Sequence, residues 1–468
     1  MLRTLAVTQM RLMLRDGRVR LLLVAFSLLS AIALLAGWQR DQALIAERQQ
    51  ATQADGRLWL AQGAVNPHMA AHFGRDVFKP IGPLAAFDPG LSDQLGTVAR
   101  LEAHVQNTPR HRPAEGDGAV ARFQAVHPAY LLQLMLPLLL ILSGFAFFRG
   151  ERTEPLVRQE LASGVPARSL VLGRLIALLV VFGLALLPVA VAMWVHSAMH
   201  GADAAQGALA LVAGYGLYLA IWAALVVATA AACRSARTCV VVLLALWAAS
   251  VMLVPRLASD IAAVSAPAPG TAQFKAALRK SLEQGPSGHD GRDVRLEALK
   301  RATLRKHGVS RIEDLPVNWD GIALLEGERY AAEVARQHYD TLWAAWRAQD
   351  QIRRGFALLS PTIALQNWSA ALAGTDAESH IHFVEKLEAY RFAFVQRLNE
   401  DIAANAAAGK TWDYTAGPAL LESVKGFEHQ PLPLGQTLRQ ALPDFVVLAV
   451  WSAAALGLAL LCASRLRG

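Results

Sequence analysis

The chain has 468 residues, 54% of them apolar, with three cysteines and a formal charge of +8. Its mean hydropathy is +0.31. Cys233, Cys239 and Cys462 stand at the ends of apolar runs, and the long polar stretches carry none, which excludes a disulfide framework or a thiolate zinc site there. The basic excess sits beside those runs, so it reports membrane orientation and gives no support for nucleic-acid binding.

Six runs approach the 20 or so residues that a helix needs to cross a bilayer: Leu21–Trp38, Ala129–Phe148, Leu175–Val195, Ala208–Ala232, Thr238–Val254 and Ala441–Ala463. Asp444 is their only charged residue. The expected fold class is mainly α: a polytopic membrane protein with six transmembrane helices and two periplasmic insertions, the second largely helical. Arg3, Arg11, Arg15, Arg18 and Arg20 precede the first run, five arginines lie within 149–174, Arg234 and Arg237 occupy one tight turn, and Arg465 and Arg467 end the chain. Six spans place all of these on one side, which the positive-inside rule makes the cytoplasm. Both termini are then cytoplasmic in a multi-pass membrane protein.

In chain order, 1–20 is read as a cytoplasmic segment, either a helix in the membrane interface or a plain stop-transfer flank. The first span, 21–38, is read as retained and not as a cleaved signal peptide. The first periplasmic loop, 39–128, continues helically to about Leu60 and then turns Gly- and Pro-rich, where irregular structure is expected. The second span, 129–148, has Gln133 as its notable polar residue and Pro137 as a possible kink.

The segment 149–174 is short, charged and helix-prone, with Arg149, Glu151, Arg152, Glu154, Arg158, Glu160 and Arg168. It is broken by Ser163-Gly164-Val165-Pro166, and Pro155 suits a first helical turn. It reads either as a handle for a separate motor or as a loop that turns the chain round. Spans three to five fill 175–254, with His196, His200 and Asp203 as polar groups after the third. A second periplasmic helical domain occupies 255–440, with helices from about Trp319 to Leu359 and from about Asp376 to Ala408. Tyr339, Leu342, Trp343 and Trp346 form one stripe at helical spacing, read as packed core. The last span and a cytoplasmic tail take 441–468.

Several stretches carry a resemblance. His72-Phe73-Gly74, Lys79-Pro80, Phe87-Asp88-Pro89-Gly90 and Leu101-Glu102-Ala103-His104 in the first loop resemble those of a bacterial permease family in the type-2 ABC exporter class, which has large periplasmic insertions. Pro255-Arg256, Leu359-Ser360-Pro361, Gly374-Thr375-Asp376, His380, Phe383, Glu385 and Tyr390-Arg391 in the second resemble the same family. Glu151, Gly164-Val165-Pro166, Arg168 and Leu170-Val171-Leu172-Gly173-Arg174 are similar to the inner-face segment of such permeases. Thr153-Glu154-Pro155 stands where many relatives have Gly-Thr.

That resemblance implies a permease subunit with no cofactor and no enzymatic activity of its own. ATP hydrolysis would belong to two copies of a separate ATP-binding-cassette ATPase docked on 149–168. Glu151, Glu154, Arg158, Glu160, Val165, Pro166 and Arg168 would carry the coupling. A second permease chain, identical or not, would complete the path. Membrane lipid and a periplasmic molecule are further partners, and nucleic acid is not. His72, Asp88, His104, His380 and Glu385 are the candidates for a role in the outer domains.

The residues add two negatives. The spans lack the buried carboxylates of pumps and ion-coupled carriers. Gly409-Lys410-Thr411 has Asn405 where a phosphate loop needs glycine. No catalytic constellation or metal site is expected: His380 and His382 lie two apart and diverge on a helix. The alternative reading is a mechanotransmitting or sensory membrane protein, driven by an ATPase and acting through its periplasmic domains without transport.

Overall fold

The computed structural model describes all residues except 93, 111–126, 152, 285–291 and 467–468. Arg152 and Arg467 therefore lie outside the described residues. The protein is mainly α.

Helix α1 (Leu2–Arg15) ends at Asp16, whose carboxylate accepts the Arg18 N–H at 2.8 Å and so caps α2 (Gly17–Leu60). At 1.5 Å per residue α2 is about 66 Å long, twice the ~30 Å of a bilayer's apolar core. Its apolar first half continues without a break into the polar Gln39–Leu60. Then come α3 (Pro67–Phe73), β1 (Arg75–Phe78), β2 (Val98–Leu101), α4 (Pro128–Gly144), α5 (Thr153–Ala162), α6 (Ala167–Ala198), α7 (Ala202–Ala232) and α8 (Ala236–Ser265). The remaining helices are α9 (Thr271–Gln284), α10 (Arg292–His307), α11 (Trp319–Gly355), α12 (Pro361–Ala373), α13 (Ala377–Asn405), α14 (Pro418–Ser423) and α15 (Leu434–Cys462).

Among the described residues five helices, α2, α6, α7, α8 and α15, are long and apolar enough to cross a membrane. The apolar run around Ala129 is a shorter helix of 17 residues, because the chain leaves the helix at Phe145 and turns through Gly150. α7 is the centre of the bundle. Tyr218, Trp222, Ala223, Val226, Val227 and Ala231 are fully buried against α4, α6 and α15. Its run of alanines lets those helices approach closely, which is how apolar helices associate where water does not drive them together. α8 continues through Pro255 because a π-helical stretch, Ala248–Leu253, precedes it and widens the turn. The expected boundary between span and insertion at 254/255 thus falls inside one helix.

The two insertions pack into one helical head. α11 and α13 lie side by side, burying Tyr339, Leu342 and Trp343 against Ile381, Phe383, Val384 and Leu387, with Phe274 of α9 and Leu101 of β2 closing the cluster. The aromatic stripe is therefore core. A second cluster joins Trp59 at the far end of α2 to Ala70 and Ala71 of α3, Phe394 and Leu398 of α13 and Leu421 of α14. The indole of Trp59 donates to the Leu421 carbonyl at 3.0 Å. Residues 70–107, expected to be irregular, hold α3 and an antiparallel pair with Arg75 opposite Leu101. Each strand is four residues long, too short for its alternation to stand out among the glycines and prolines.

α12 is the link between head and bundle. Ile363, Ala364 and Leu365 are fully buried, and the Trp368 indole donates to Ala210 O of α7 at 2.9 Å. Asp444, the one charge in the apolar runs, is buried and is answered here by Arg354 at 2.7 Å and by Asn367 at 2.8 Å, so the expectation of spans without a buried carboxylate fails at this position.

Trp343 contacts Tyr339 and Trp346 at ring distances of 5.5 and 5.0 Å and is 4% exposed. Trp343→Ala is expected to cost about 3–5 kcal/mol of head stability, read as a lowered thermal midpoint by tryptophan-independent circular dichroism.

Candidate functional site

Two places bring the candidate residues together. The first is the charged hairpin at the end of the bundle where α1 and the C-terminal turn also lie. Thr153 Oγ1 donates to Ala146 O at 2.7 Å and accepts from Gly150 N–H at 2.9 Å, pinning the start of α5. At its other end Gly164 adopts φ 81°, and Val165 N–H reaches back to Glu160 O while Gly164 N–H bonds Leu161 O. This is the Schellman termination, which requires a left-handed residue and so favours glycine. Pro166 then precedes α6 directly.

The hairpin is seated by Val157, 4% exposed, and by Leu161 and Val165, which pack against the bundle. Arg174 lies buried beneath it. Its guanidinium sits 4.4 Å from the Phe148 ring centre and 3.4 Å from Glu160. α1 crosses the same place so closely that a Cβ on Gly173 would come within 2.9 Å of Leu5 Cβ. Seven residues were expected to couple, and the structure divides them. Glu154, held by Arg149 at 3.6 Å and Arg158 at 2.8 Å, together with Glu160 and Val165, builds the hairpin. Glu151, Arg158, Pro166 and Arg168 face outward, beside the exposed Leu156.

The second place is in the head. The buried Asn66 side chain caps α3, accepting from His68 N–H at 3.0 Å and Met69 N–H at 3.3 Å, while its amide donates to Thr411 O and Tyr414 O. Pro67 opens the helix, so His68 and His72, four residues apart, share one face. His104 follows β2 in a tight turn with φ 67°, a left-handed conformation uncommon for any residue with a side chain. The turn carries His104 to the same spot. His68 Nε2 lies 3.2 Å from His72 Nε2 and 3.4 Å from His104 Nε2. Among the described residues this is the one group of three histidine, cysteine or acidic side chains close enough to share an ion.

Each inner ring is oriented from behind. His68 Nδ1 faces Asn399 Oδ1 at 3.0 Å. His104 Nδ1 lies 3.4 Å from Glu328 Oε2, which also accepts the His104 backbone N–H at 2.9 Å. Glu328 has no exposed surface. Burial would raise its carboxyl, but the His104 and Arg391 bonds outweigh that and hold it down at about 2. Arg391, 1% exposed, bonds Glu328 at 2.5 Å and clasps Glu388 with two bonds of 2.6 and 2.7 Å. Burial pushes His68 down to about 4, so it is neutral at pH 7. His72 is exposed and His104 half-exposed, which opens the cluster to solvent on one side.

Of the five head candidates, His72 and His104 meet here. The other three do not. Asp88 is buried at the junction with the bundle, accepting from Ser369 Oγ and from Gly90 N–H. His380 is buried beneath Trp346, and Glu385 is an exposed residue of α13 on a groove shared with α11. His68 was missed in the sequence. The signal was available as His-x-x-x-His in the stretch Pro67–Phe73, but the third histidine lies 32 residues further on and only the turn after β2 brings it in. Thr411 of the rejected phosphate-loop triplet instead donates to Asp320 at 2.6 Å. His200 Nδ1 lies 2.9 Å from the His196 carbonyl, with no third ligand among the described residues.

Residues 271–430 match a family model described as a domain of unknown function (DUF3526). No curated protein and no solved structure matches the chain.

Two predictions separate structural from interacting groups. Glu160→Gln is expected to lower stability by about 1 kcal/mol, since it removes the partner of buried Arg174, whereas Arg158→Ala stays within about 0.5 kcal/mol. Thermal unfolding of the detergent-solubilised protein reads both. Burial lowers His380 to about 3, with Lys79 adding to the effect. The unfolded chain therefore takes up this proton first, and stability is lost as pH falls from about 6.5 toward 3. His380→Phe keeps the ring packing and is expected to flatten that decline in midpoint-against-pH measurements.

Proposed function

We infer that the chain is the membrane-spanning permease subunit of an ABC exporter, with the exposed rim of the 149–168 hairpin as the docking surface for a separate ATP-binding-cassette ATPase. The observation that carries this reading is the hairpin itself. A ten-residue helix is pinned at both ends and seated on the bundle by Val157 and buried Arg174, and it still turns Leu156 and Arg158 outward, with exposed Glu151 before it and Arg168 after it. A loop that merely reverses the chain needs no such anchorage.

In this reading α4 is a sixth, short span. Its 17 residues reach about 25 Å and Phe145–Phe148 complete the crossing. The arginine-flanked ends are cytoplasmic and the head is periplasmic, in the inner membrane of a bacterium. Six spans enclose a path poorly, so two permease chains would face each other and bind two ATPases. The cavity of about 700 Å³ lined by Asp88, Gln133, Arg347, Asp350, Asn367 and Asp376 would lie at the outer end of that path. ATP-driven closure of the ATPases would shift the hairpin, α6 and α1 together.

One observation favours a second reading, mechanotransmission without transport. α2 runs unbroken from beside the hairpin to the head core at Trp59, a lever suited to moving the head. Transport of a head-bound solute in reconstituted vesicles distinguishes the two.

The docking test is affinity capture from native membranes, with the ATPase identified by its nucleotide-binding peptides. Wild-type chain is expected to retain the ATPase, and the double variant Glu151→Lys, Arg158→Glu to lose at least about 90% of it, a loss of ~1.4 kcal/mol or more. Undiminished capture by the double variant would show that the docking surface is misassigned.

A further inference from the structure

The histidine cluster poses a problem of lone pairs. The carboxylate of Glu328 and the amide oxygen of Asn399 only accept, so the Nδ1 atoms of His104 and His68 carry the protons. In the neutral tautomers that these partners fix, both Nε2 atoms offer lone pairs, and they face each other at 3.4 Å. His72 Nε2, 3.2 Å from that of His68, supplies one proton at most. The cluster lacks a positive centre that all three lone pairs can share.

We propose that His68, His72 and His104 bind a divalent first-row transition ion, Zn²⁺ above all, through their Nε2 atoms, leaving one coordination position open to solvent. Zinc–nitrogen bonds of ~2.0–2.1 Å at tetrahedral angles put ligand nitrogens about 3.3–3.4 Å apart. The two distances from His68 are 3.2 and 3.4 Å, and all three ligand atoms lie within 4.8 Å of one another. The second ring nitrogens are held as metal-binding histidines require, one by a carboxylate and one by an amide oxygen. The carboxylate is itself fixed by Arg391. Among the described residues no cysteine or carboxylate joins the group, so imidazole chemistry selects zinc, copper or nickel over magnesium or calcium.

The ion would bind residues from α3 and from the turn after β2, both resting on α13 and α11. The left-handed backbone of His104 fits this role, because Glu328 holds the residue there through backbone and ring alike. Three neutral imidazoles leave the ion its full charge. The open side, next to exposed His72 and the Trp412 ring 5.7 Å from His68, admits a further donor atom from water or a bound molecule. The site does not depend on the ATPase reading.

The test uses the full chain in detergent, stripped with a chelator, with ZnCl₂ as probe and MgCl₂ as control, by titration calorimetry and elemental analysis. One Zn²⁺ per chain is expected, with a rise in thermal midpoint on Zn²⁺ addition and none on Mg²⁺. His72→Ala, on the surface, is expected to weaken binding at least ~10-fold without changing the metal-free midpoint. His104→Gly suits the left-handed backbone and keeps the N–H bond to Glu328; it is expected to weaken binding to the same degree, with a lowered metal-free midpoint because the buried carboxylate loses its ring partner. His196→Ala is expected to bind as wild type. Binding below one Zn²⁺ per chain, or affinity unchanged in both His72→Ala and His104→Gly, overturns the site.

Discussion

The head depends on one buried carboxylate. Glu328 sits without solvent contact on α11, where an ionised group is tolerated only if its charge is fully answered. Arg391 from α13 answers it, and the same guanidinium donates to the Glu102 carbonyl at 3.1 Å. The turn after β2 is thereby tied to both long helices. The other carboxylate oxygen holds His104 by backbone and ring. Three segments far apart in the chain are locked around one charge, because each oxygen of that charge is expensive to leave unpaired.

This locking explains why the insertions form one body. Apolar contacts alone leave some freedom of register between the first loop and α11–α13, since clusters of alanine, leucine and aromatic rings pack in more than one way. Charged hydrogen bonds have direction. Arg391, Asn399 and Asn66 each reach from one insertion into the other and fix where α3 and the β2 turn sit. The convergence of three imidazoles follows from that placement, as does the open side of the cluster.

The bundle end is built on a similar economy with fewer charges. Arg174 is buried under the hairpin, stacked on Phe148 and tied to Glu160, so the position of α5 is coupled to α6 and, through Gly173, to α1. α2 runs by its length from this end to the head, and α12 joins the head to the bundle by insertion between α7 and α15. A displacement of the hairpin has rigid elements through which to travel, as the proposed coupling to an ATPase requires.

Much of this was written locally. Runs of apolar residues, the polar extension of α2, the aromatic stripe of α11 and the Gly164 stop can be read from composition and spacing, because each expresses the chain's own hydrogen bonds and the solvent it meets. The stretch 149–168 showed its charges, though not which of them support it and which are presented. The shortness of α4 and the passage of α8 through Pro255 depend on a turn at Phe145 and on a π-helical widening, which packing decides. The meeting of His68, His72 and His104 required the tertiary structure. Spacing alone pairs the first two on a helix, but the third arrives by a left-handed turn held by a carboxylate more than 200 residues away, and no local pattern encodes a contact at that range.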